Sequence, residues 1–182
     1  MYVFWEHGYE GASLRRLVDA TGLKPGSVYG AFGSKGGLFR EALSRYLDGV
    51  RVQLGLAGRS SPADVLRQWV RSHAAASVGP PPRGCLLFHA AATRPSLDAE
   101  SADAVAHALR AHQRTVRRLL AAHHGEPSDD ALHGRAWLVT SSMAGTSALA
   151  RAGATRDEVL ATAEATLHAV GVANVRQNPV SG

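Results

Sequence analysis

The segment from Lys24 to Ser27 combines one cation with three residues whose side chains are small or compact. Proline is favoured in the first turn of a helix because its missing N–H is not needed there, so the sequence predicts a helix that begins at Pro25. A tip without bulky side chains lets the backbone approach another molecule closely, and the Ser27 hydroxyl can hydrogen-bond a base edge or a phosphate. Gly30 lies in the middle of this helix, where glycine costs about 1 kcal/mol relative to alanine. A close approach to DNA would explain that glycine, and the whole pattern is typical of a helix end that enters the major groove.

Positive charge is concentrated around this tip. The chain carries a formal net charge of +5, and residues 13–35 contain four cations and one carboxylate. These charged residues are Arg15, Arg16, Lys24 and Lys35, against Asp19. Such an excess favours an anionic partner. At the start of a helix, the charge of Lys35 would add to free backbone N–H groups that attract phosphate.

Three helices are predicted to position the tip. Ser13 can cap a short helix over 14–20, and Gly22 tolerates the left-handed conformation that ends it. A second short helix runs from Pro25 to about residue 31. A longer amphipathic helix follows, with apolar residues at the helical period from Leu38 to Val50. Two short helices joined by a tight turn are a helix-turn-helix candidate.

The residues in and around these helices resemble the N-terminal signature of the tetracycline-repressor (TetR/AcrR) family of bacterial regulators. The motifs that carry the resemblance lie in residues 8–47 and are Gly8-Tyr9-Glu10-Gly11, Ser13-Leu14-Arg15, Gly22-Leu23-Lys24-Pro25-Gly26-Ser27-Val28-Tyr29, Phe32, Ser34-Lys35 and Leu38-Phe39. The resemblance implies an all-α fold with an N-terminal three-helix helix-turn-helix DNA-binding domain at 1–47. A larger helical effector-binding and dimerisation domain is expected at 48–171, followed by a flexible tail at 172–182.

The family resemblance implies a DNA-binding transcriptional regulator, most often a repressor, that binds a palindromic operator as a homodimer and is released by a small-molecule effector. The predicted DNA-contacting residues are Ser13, Arg15, Lys24, Pro25, Gly26, Ser27, Tyr29, Gly30 and Lys35. Tyr29 matches the family's tyrosine, whose hydroxyl contacts the DNA backbone. Other interpretations stay open. Tyr29 could be a core aromatic, Gly30 could mark only a loose helix, and Lys35 and Arg15 could be solvated surface charges.

The sequence departs from the family pattern at two places. The family's first helix usually begins before the position of Met1, which implies a shortened first helix and an under-packed core around Phe4. At Gly36-Gly37 the family usually has a glutamate, so Ser34 finds no side-chain partner for a capping box at Gly37. The first departure keeps an alternative open, in which the chain is a small-molecule-binding helical protein with impaired or lost DNA binding.

The remainder of the chain predicts further helices at 63–77, 84–93, 98–124, 129–151 and 155–170. Thr155 and Glu158 have the spacing of a capping box at the start of the last one. Small residues from Ser141 to Ala148 permit close helix approach. In the family the last two helices form a four-helix bundle with a second copy, so we expect the homodimer interface there. Ordinary packing within one chain is the alternative.

An effector pocket is expected among aromatic, histidine and cysteine side chains of this second part. The candidates are Trp69, His73, Cys85, Phe88, His89, His112 and Trp137. Each could instead be a packed core residue. Cys85 begins an apolar helix beyond a proline-rich loop, a position that predicts a lowered thiol pKa and an electrophile or redox sensor. A small buried residue is the alternative for this cysteine.

Several other classes of protein are not favoured. Cys85 is the only cysteine, which fits a reducing cytoplasm, and no run reaches the roughly 18 apolar residues of a membrane helix. The sequence lacks the Gly-x-Ser-x-Gly elbow, the phosphate-binding glycine loop and the spacing of a zinc site. We therefore expect a soluble, cytoplasmic protein that is not an enzyme and binds no metal or other cofactor.

Overall fold

A computed structural model of the protein describes residues 1–56, 60–125 and 128–172, apart from the side chains of Pro25, Tyr29 and Leu56. All regular elements in these ranges are helical, which confirms the predicted all-α class. The helices are α1 (Tyr2–Gly11), α2 (Leu14–Thr21), α3 (Pro25–Phe32), α4 (Lys35–Leu56), α5 (Pro62–Ser77), α6 (Leu86–Ala92), α7 (Ala99–His124), α8 (Asp129–Arg151) and α9 (Arg156–Ala169), with a 3₁₀ turn at Arg94–Ser96 before α7. In the same ranges, no helix combines the length and the apolar character needed to cross a membrane.

The helix ends follow the predicted capping residues. Gly22 adopts a left-handed φ of 69° and its N–H donates to the carbonyl of Val18, which ends α2. At the start of α9, the Thr155 hydroxyl accepts from the Glu158 N–H at 3.3 Å, and the Glu158 carboxylate accepts from the Thr155 N–H at 2.8 Å. The capping box predicted from the sequence is therefore confirmed.

The first helix fills the N-terminal core. Phe4 is fully buried and packs edge-to-face on Phe39 of α4, with ring centroids 5.3 Å apart. Leu17 of α2 and Val28 of α3 are buried in the same cluster. The under-packing expected around Phe4 is not seen at these residues, and a kink at Gly8 (φ 69°) divides α1.

The long helix α4 joins the two parts of the fold. Near its beginning Phe39 packs against Phe4 and Tyr9 of α1, while two turns later the Tyr46 hydroxyl contacts Cys85 next to α6. The boundary predicted between residues 47 and 48 falls inside this continuous helix. One uninterrupted helix therefore connects the two parts of the fold.

The C-terminal part is a bundle in which α5, α7, α8 and α9 pack on one another, with α6 between α7 and α1. Its centre contains Leu66, Val116, Val139 and Leu167, all fully buried. The predicted tail at 172–182 lies outside the described residues after Val172.

The turn before α6 lies very close to α8. Gly84 has a left-handed φ of 63°, and a Cβ there would come within 2.5 Å of the Ser147 hydroxyl. The same hydroxyl accepts a 2.6 Å hydrogen bond from the Cys85 N–H. Glycine at position 84 therefore allows the backbone to reach α8 and places Cys85 at the start of α6.

Candidate nucleic-acid interface and ligand cavity

The N-terminal tip of α3 points outward. Lys24, Gly26 and Ser27 are exposed, and the N–H groups of Ser27 and Val28 both donate to the Lys24 carbonyl. Val28 is buried, which fixes the opposite side of the helix to the core. The predicted outward presentation of this tip is therefore confirmed for these three residues, while the side chains of Pro25 and Tyr29 lie outside the described residues.

Two glycines leave the surface of α3 open. A Cβ added at Gly26 or at Gly30 would meet nothing within 4 Å. Neither glycine is therefore required by contacts within the described part of the chain. The absence of a side chain at these positions leaves room for a molecule that approaches α3 from outside.

Residues beside the tip have two different roles: Arg15 and Lys24 expose positive charge, whereas Ser13 caps a helix. The side chain of Arg15 is 92% exposed, and its nearest carboxylate, Asp19, is 4.0 Å away. Arg15 and Lys24 are thus available to an anionic partner. Ser13 has a local role, because its hydroxyl accepts a 3.3 Å hydrogen bond from the Arg16 N–H and caps α2.

Lys35 turns toward α1. Its ammonium donates to the carbonyl of Glu10 at 3.3 Å and lies 4.7 Å from the ring centroid of Tyr9. Burial lowers the pKa of Lys35 from its ordinary value. These contacts hold the end of α1 against the start of α4, a structural role for Lys35 that sequence reasoning missed.

A polar cluster joins α1, α4 and α7, and we call it the Asp98 cluster: Tyr9, Arg40, Asp98, Glu100 and Ser101. The Tyr9 hydroxyl donates to Asp98 at 2.6 Å, while the Arg40 guanidinium lies 3.4 Å from Asp98 and 2.7 Å from Glu100. Asp98 also caps α7 by accepting from the Ser101 N–H. Burial opposes ionisation of Asp98, but the hydrogen bonds from Tyr9 and Ser101 outweigh it and lower its pKa. Burial and the bond to Asp98 raise the pKa of Tyr9 to about 12.

This cluster supplies a steric reason for Gly36, where the family usually has a larger residue. A Cβ at Gly36 would collide with the Asp98 carboxylate, and one at Gly37 would collide with the Phe32 carbonyl. Ser34 still caps α4, since its hydroxyl accepts a 3.0 Å hydrogen bond from the Gly37 N–H. The two glycines thus allow α4 to begin directly against its neighbours.

A cavity of about 310 Å³ lies between α4 and the helices of the C-terminal part. Five of the seven predicted pocket residues line it: Trp69, His73, Cys85, Phe88 and His112. Other lining residues, which sequence reasoning missed, include Arg40, Tyr46, Leu47, His107, Thr115 and Met143. Tyr46 and Leu47 belong to the predicted apolar side of α4, which was a usable signal for them.

Two predicted pocket residues lie elsewhere. His89 packs against α1, where its Nε2 would be 3.0 Å from a Cβ at Gly8. Trp137 is on the exposed side of α8. The structure therefore places neither residue at the cavity.

The two buried histidines of the cavity, His73 and His112, are uncharged at neutral pH. Burial lowers the pKa of His73 and of His112 to about 4. His73 Nε2 is 2.8 Å from the Met143 carbonyl, and it must donate there because a carbonyl oxygen can only accept. The His112 ring lies close to Trp69 and Phe88, with centroid distances of 4.7 and 5.2 Å, and its Nε2 is buried without a hydrogen-bond partner in the part of the chain that the structure describes.

The Cys85 thiol is buried, and burial raises its pKa although Tyr46 and the α6 backbone donate hydrogen bonds that oppose the increase. The Tyr46 hydroxyl lies 3.1 Å from Sγ. The predicted lowering of this pKa is therefore wrong, because removal from water outweighs the effect of the helix start. A sensor role for Cys85 stays a hypothesis.

One side of α8 exposes apolar side chains. Leu138 and Leu149 are 44% and 52% exposed, and Ser141 and Gly145 lie between them on the surface. Other residues of the predicted small-residue segment face inward and are buried: Met143, Thr146 and Ser147. The segment thus supplies both internal packing and an open surface, which we call the α8 face.

No metal centre is evident in the described ranges. They contain no group of three or more His, Cys, Asp or Glu side chains arranged to hold a metal ion.

Sequence comparisons agree with the geometry of the N-terminal part. Residues 1–42 match the family model of bacterial regulatory proteins, tetR family. The HTH-type transcriptional repressor ComR of Escherichia coli is 54% identical over 48 residues, which are 26% of this chain and 23% of that protein. The repressor AcnR of Corynebacterium glutamicum is 56% identical over 36 residues, 20% of this chain and 19% of that protein. The matched segment therefore spans less than a quarter of these curated relatives.

A structural comparison extends the similarity to nearly the whole chain. A cysteine mutant of the TetR family transcriptional regulator CifR, complexed with 26-bp double-strand operator DNA, superimposes with a TM-score of 0.78. The identity is 34%, and the match covers 92% of this chain and 90% of that one. The similarity therefore includes the helices around the cavity and the α8 face.

Proposed function

This chain belongs to the tetR family of bacterial regulatory proteins, and we propose that it is a transcriptional repressor that binds a palindromic operator as a homodimer and leaves it when a small-molecule effector binds. The observation that carries this proposal is the outward tip of α3, where exposed Lys24, Gly26 and Ser27 stand beside the exposed Arg15. The similar CifR protein was solved with operator DNA, which supports the same kind of partner here.

Different residues in and beside the tip would contact the bases and the phosphates of DNA. Small side chains at the start of α3 bring its backbone to the base edges, and Ser27 supplies a hydroxyl that can read them. Arg15 and Lys24 are placed to contact phosphates, which fix the position of the protein without reading sequence. Lys35 would add positive charge nearby while it holds α1 in place.

A homodimer would recognise twice as many base pairs as a single copy does. One helix reads only a few base pairs, so two copies about 34–36 Å apart would read two half-sites of a palindrome. The α8 face offers the required surface, since exposed Leu138 and Leu149 flank small residues that allow a second helix to approach. With α9 beside α8, two copies would form a four-helix bundle.

The effector would act through α4. Arg40 on this helix lines the cavity and also belongs to the Asp98 cluster, so one side chain touches both the ligand site and the anchor of α1. A ligand that displaces α4 would change the separation of the two α3 tips in the dimer. The operator has a fixed spacing, so its affinity would fall.

Selection of bound fragments from a random duplex library tests the proposed function. We expect enrichment of a palindrome, and an affinity that falls steeply as salt concentration rises. Recovery of one asymmetric, unrepeated site would contradict dimeric recognition. Absence of any association at low salt would instead support the alternative, a helical ligand-binding protein without DNA binding.

A further inference from the structure

The walls of the cavity are rich in aromatic rings. Trp69, Phe88 and Tyr46 line it together with the rings of His73 and His112. Its volume of about 310 Å³ is near the lower end of the range of about 300–1,000 Å³ for small-molecule pockets. These walls favour a small, flat and largely apolar ligand.

Charged groups around the cavity are already neutralised. Among the described residues that line it, none is Asp or Glu, and the two arginines are paired. Arg40 contacts Asp98 and Glu100, while Arg51 lies 2.7 Å from Asp48. A buried ion in the ligand would find no counter-charge there and would lose its hydration, so an uncharged ligand is favoured.

A histidine that lines the cavity has one buried polar atom without a partner among the described residues. His73 Nε2 already donates to Met143, but His112 Nε2 is buried and makes no hydrogen bond to any described residue. A neutral imidazole nitrogen either donates or accepts, depending on which ring nitrogen carries the hydrogen. A hydroxyl group can satisfy it in both cases, whereas a carbonyl oxygen satisfies only the donor.

We propose that this cavity binds a small, uncharged aromatic compound with one hydroxyl group, whose ring packs against Trp69 and Phe88 and whose hydroxyl bonds to His112 Nε2. This inference deepens the proposed function, because it takes the cavity as the effector site.

Calorimetric titration at neutral pH with three probes of one ring size tests the ligand class. β-Naphthol carries the hydroxyl, naphthalene lacks any polar group, and β-naphthoate carries a negative charge. We expect β-naphthol to bind about tenfold more tightly than naphthalene, the effect of one buried hydrogen bond to an otherwise unpaired atom. β-Naphthoate should bind more weakly than β-naphthol.

Variants of His112 identify the bonding atom. His112→Phe keeps a ring but removes the nitrogen, so the preference for β-naphthol over naphthalene should disappear while naphthalene still binds. His112→Gln keeps a donor and an acceptor and should retain part of that preference. Trp137→Phe, on the exposed side of α8, is the matched control and should leave all three affinities unchanged. Thermal unfolding checks that each variant is folded.

Several results would overturn the inference. They are equal affinity of the wild-type protein for β-naphthol and naphthalene, tightest binding of β-naphthoate, and an unchanged preference in folded His112→Phe. A separate measurement of DNA binding distinguishes failure of the ligand-class inference from failure of the proposed function. If DNA binds and the probes do not, only the ligand class is wrong. If β-naphthol binds as expected but does not weaken DNA binding, the ligand class holds and the proposed effector role fails.

Discussion

The Tyr9 hydroxyl donates a 2.6 Å hydrogen bond to the Asp98 carboxylate, across 89 residues of sequence, and so fastens α1 to the first turn of α7. The same carboxylate contacts Arg40, which lines the cavity. One acidic side chain therefore links the helix-turn-helix region, the long helix α4 and a residue that lines the cavity. Substitutions in the Asp98 cluster should therefore lower the stability of the folded protein.

A double-mutant cycle of Tyr9→Phe and Asp98→Ala measures this link. Each single substitution should lower the free energy of unfolding by about 1–2 kcal/mol, because a partly buried polar group loses its partner. The double variant should lose about 1 kcal/mol less than the sum, since the bond can be lost only once. Urea denaturation provides the measurement. Tyr2→Phe, at an exposed tyrosine, should change stability by less than about 0.5 kcal/mol. Strict additivity of the two substitutions would show that the bond contributes nothing.

Stability should fall as the pH is lowered from about 6.5 to about 4. His73 and His112 have pKa values of about 4 in the folded protein and an ordinary value of 6.5, so the unfolded chain takes up protons first. Each imidazole contributes a slope of up to about 1.4 kcal/mol per pH unit in this window. His112→Phe should remove its share of that slope. His133→Gln, at an exposed histidine, should leave it unchanged. A flat stability profile between these pH values would contradict neutral burial of the two rings.

Arg15→Ala should weaken binding to every duplex sequence and reduce the slope of log affinity against log salt by about 1. The reason is that the Arg15 guanidinium is 92% exposed and pairs only at 4.0 Å with the exposed Asp19, so it can turn to a phosphate and release one counterion from DNA. Fluorescence anisotropy at several salt concentrations measures the slope. Arg156→Ala, at an exposed arginine of α9, is the control and should have no effect. Lys35→Ala, unlike Arg15→Ala, should lower thermal stability, because the Lys35 ammonium bonds to the Glu10 carbonyl in α1.

Gly30→Ala should separate stability from DNA affinity. Nothing lies within 4 Å of an added Cβ, so alanine should stabilise α3 by about 0.5–1 kcal/mol. If Gly30 faces DNA as we propose, the same methyl group should reduce operator affinity. Gly49→Ala in α4, where the surroundings are equally open, should stabilise the protein and leave DNA binding unchanged. Unaltered DNA affinity of Gly30→Ala would show that α3 does not use this position for close approach.

Local sequence patterns predicted most of the helical framework and the α3 tip. Capping residues such as Ser13 and Thr155 act on N–H groups within three residues, so their effect can be inferred from spacing alone. The outward tip follows from the same local rules, because Val28 alone is buried among the described side chains in the first turn of α3.

Long-range partners could not be predicted in this way. Nothing near Tyr9 in the sequence indicates Asp98, which packing of α7 brings to it. Trp137 is an aromatic residue of the kind that often lines pockets, but its position on α8 leaves the side chain exposed and outside the cavity. The pKa of the Cys85 thiol depends mainly on burial, which results from packing of the whole fold. Its position at the start of a helix therefore did not predict the direction of the pKa shift.

Leu138→Arg should convert the proposed dimer to a monomer. Leu138 is 44% exposed on the α8 face, and a charge there would be buried against the second copy without a partner. Analytical ultracentrifugation should show half the mass, and affinity for a palindrome should fall to that for a single half-site. Val52→Arg is the matched control, since Val52 is 61% exposed on α4, and it should stay dimeric. If Leu138→Arg remains a dimer with full palindrome affinity, the second copy must use a different surface, and the four-helix arrangement of α8 and α9 is wrong.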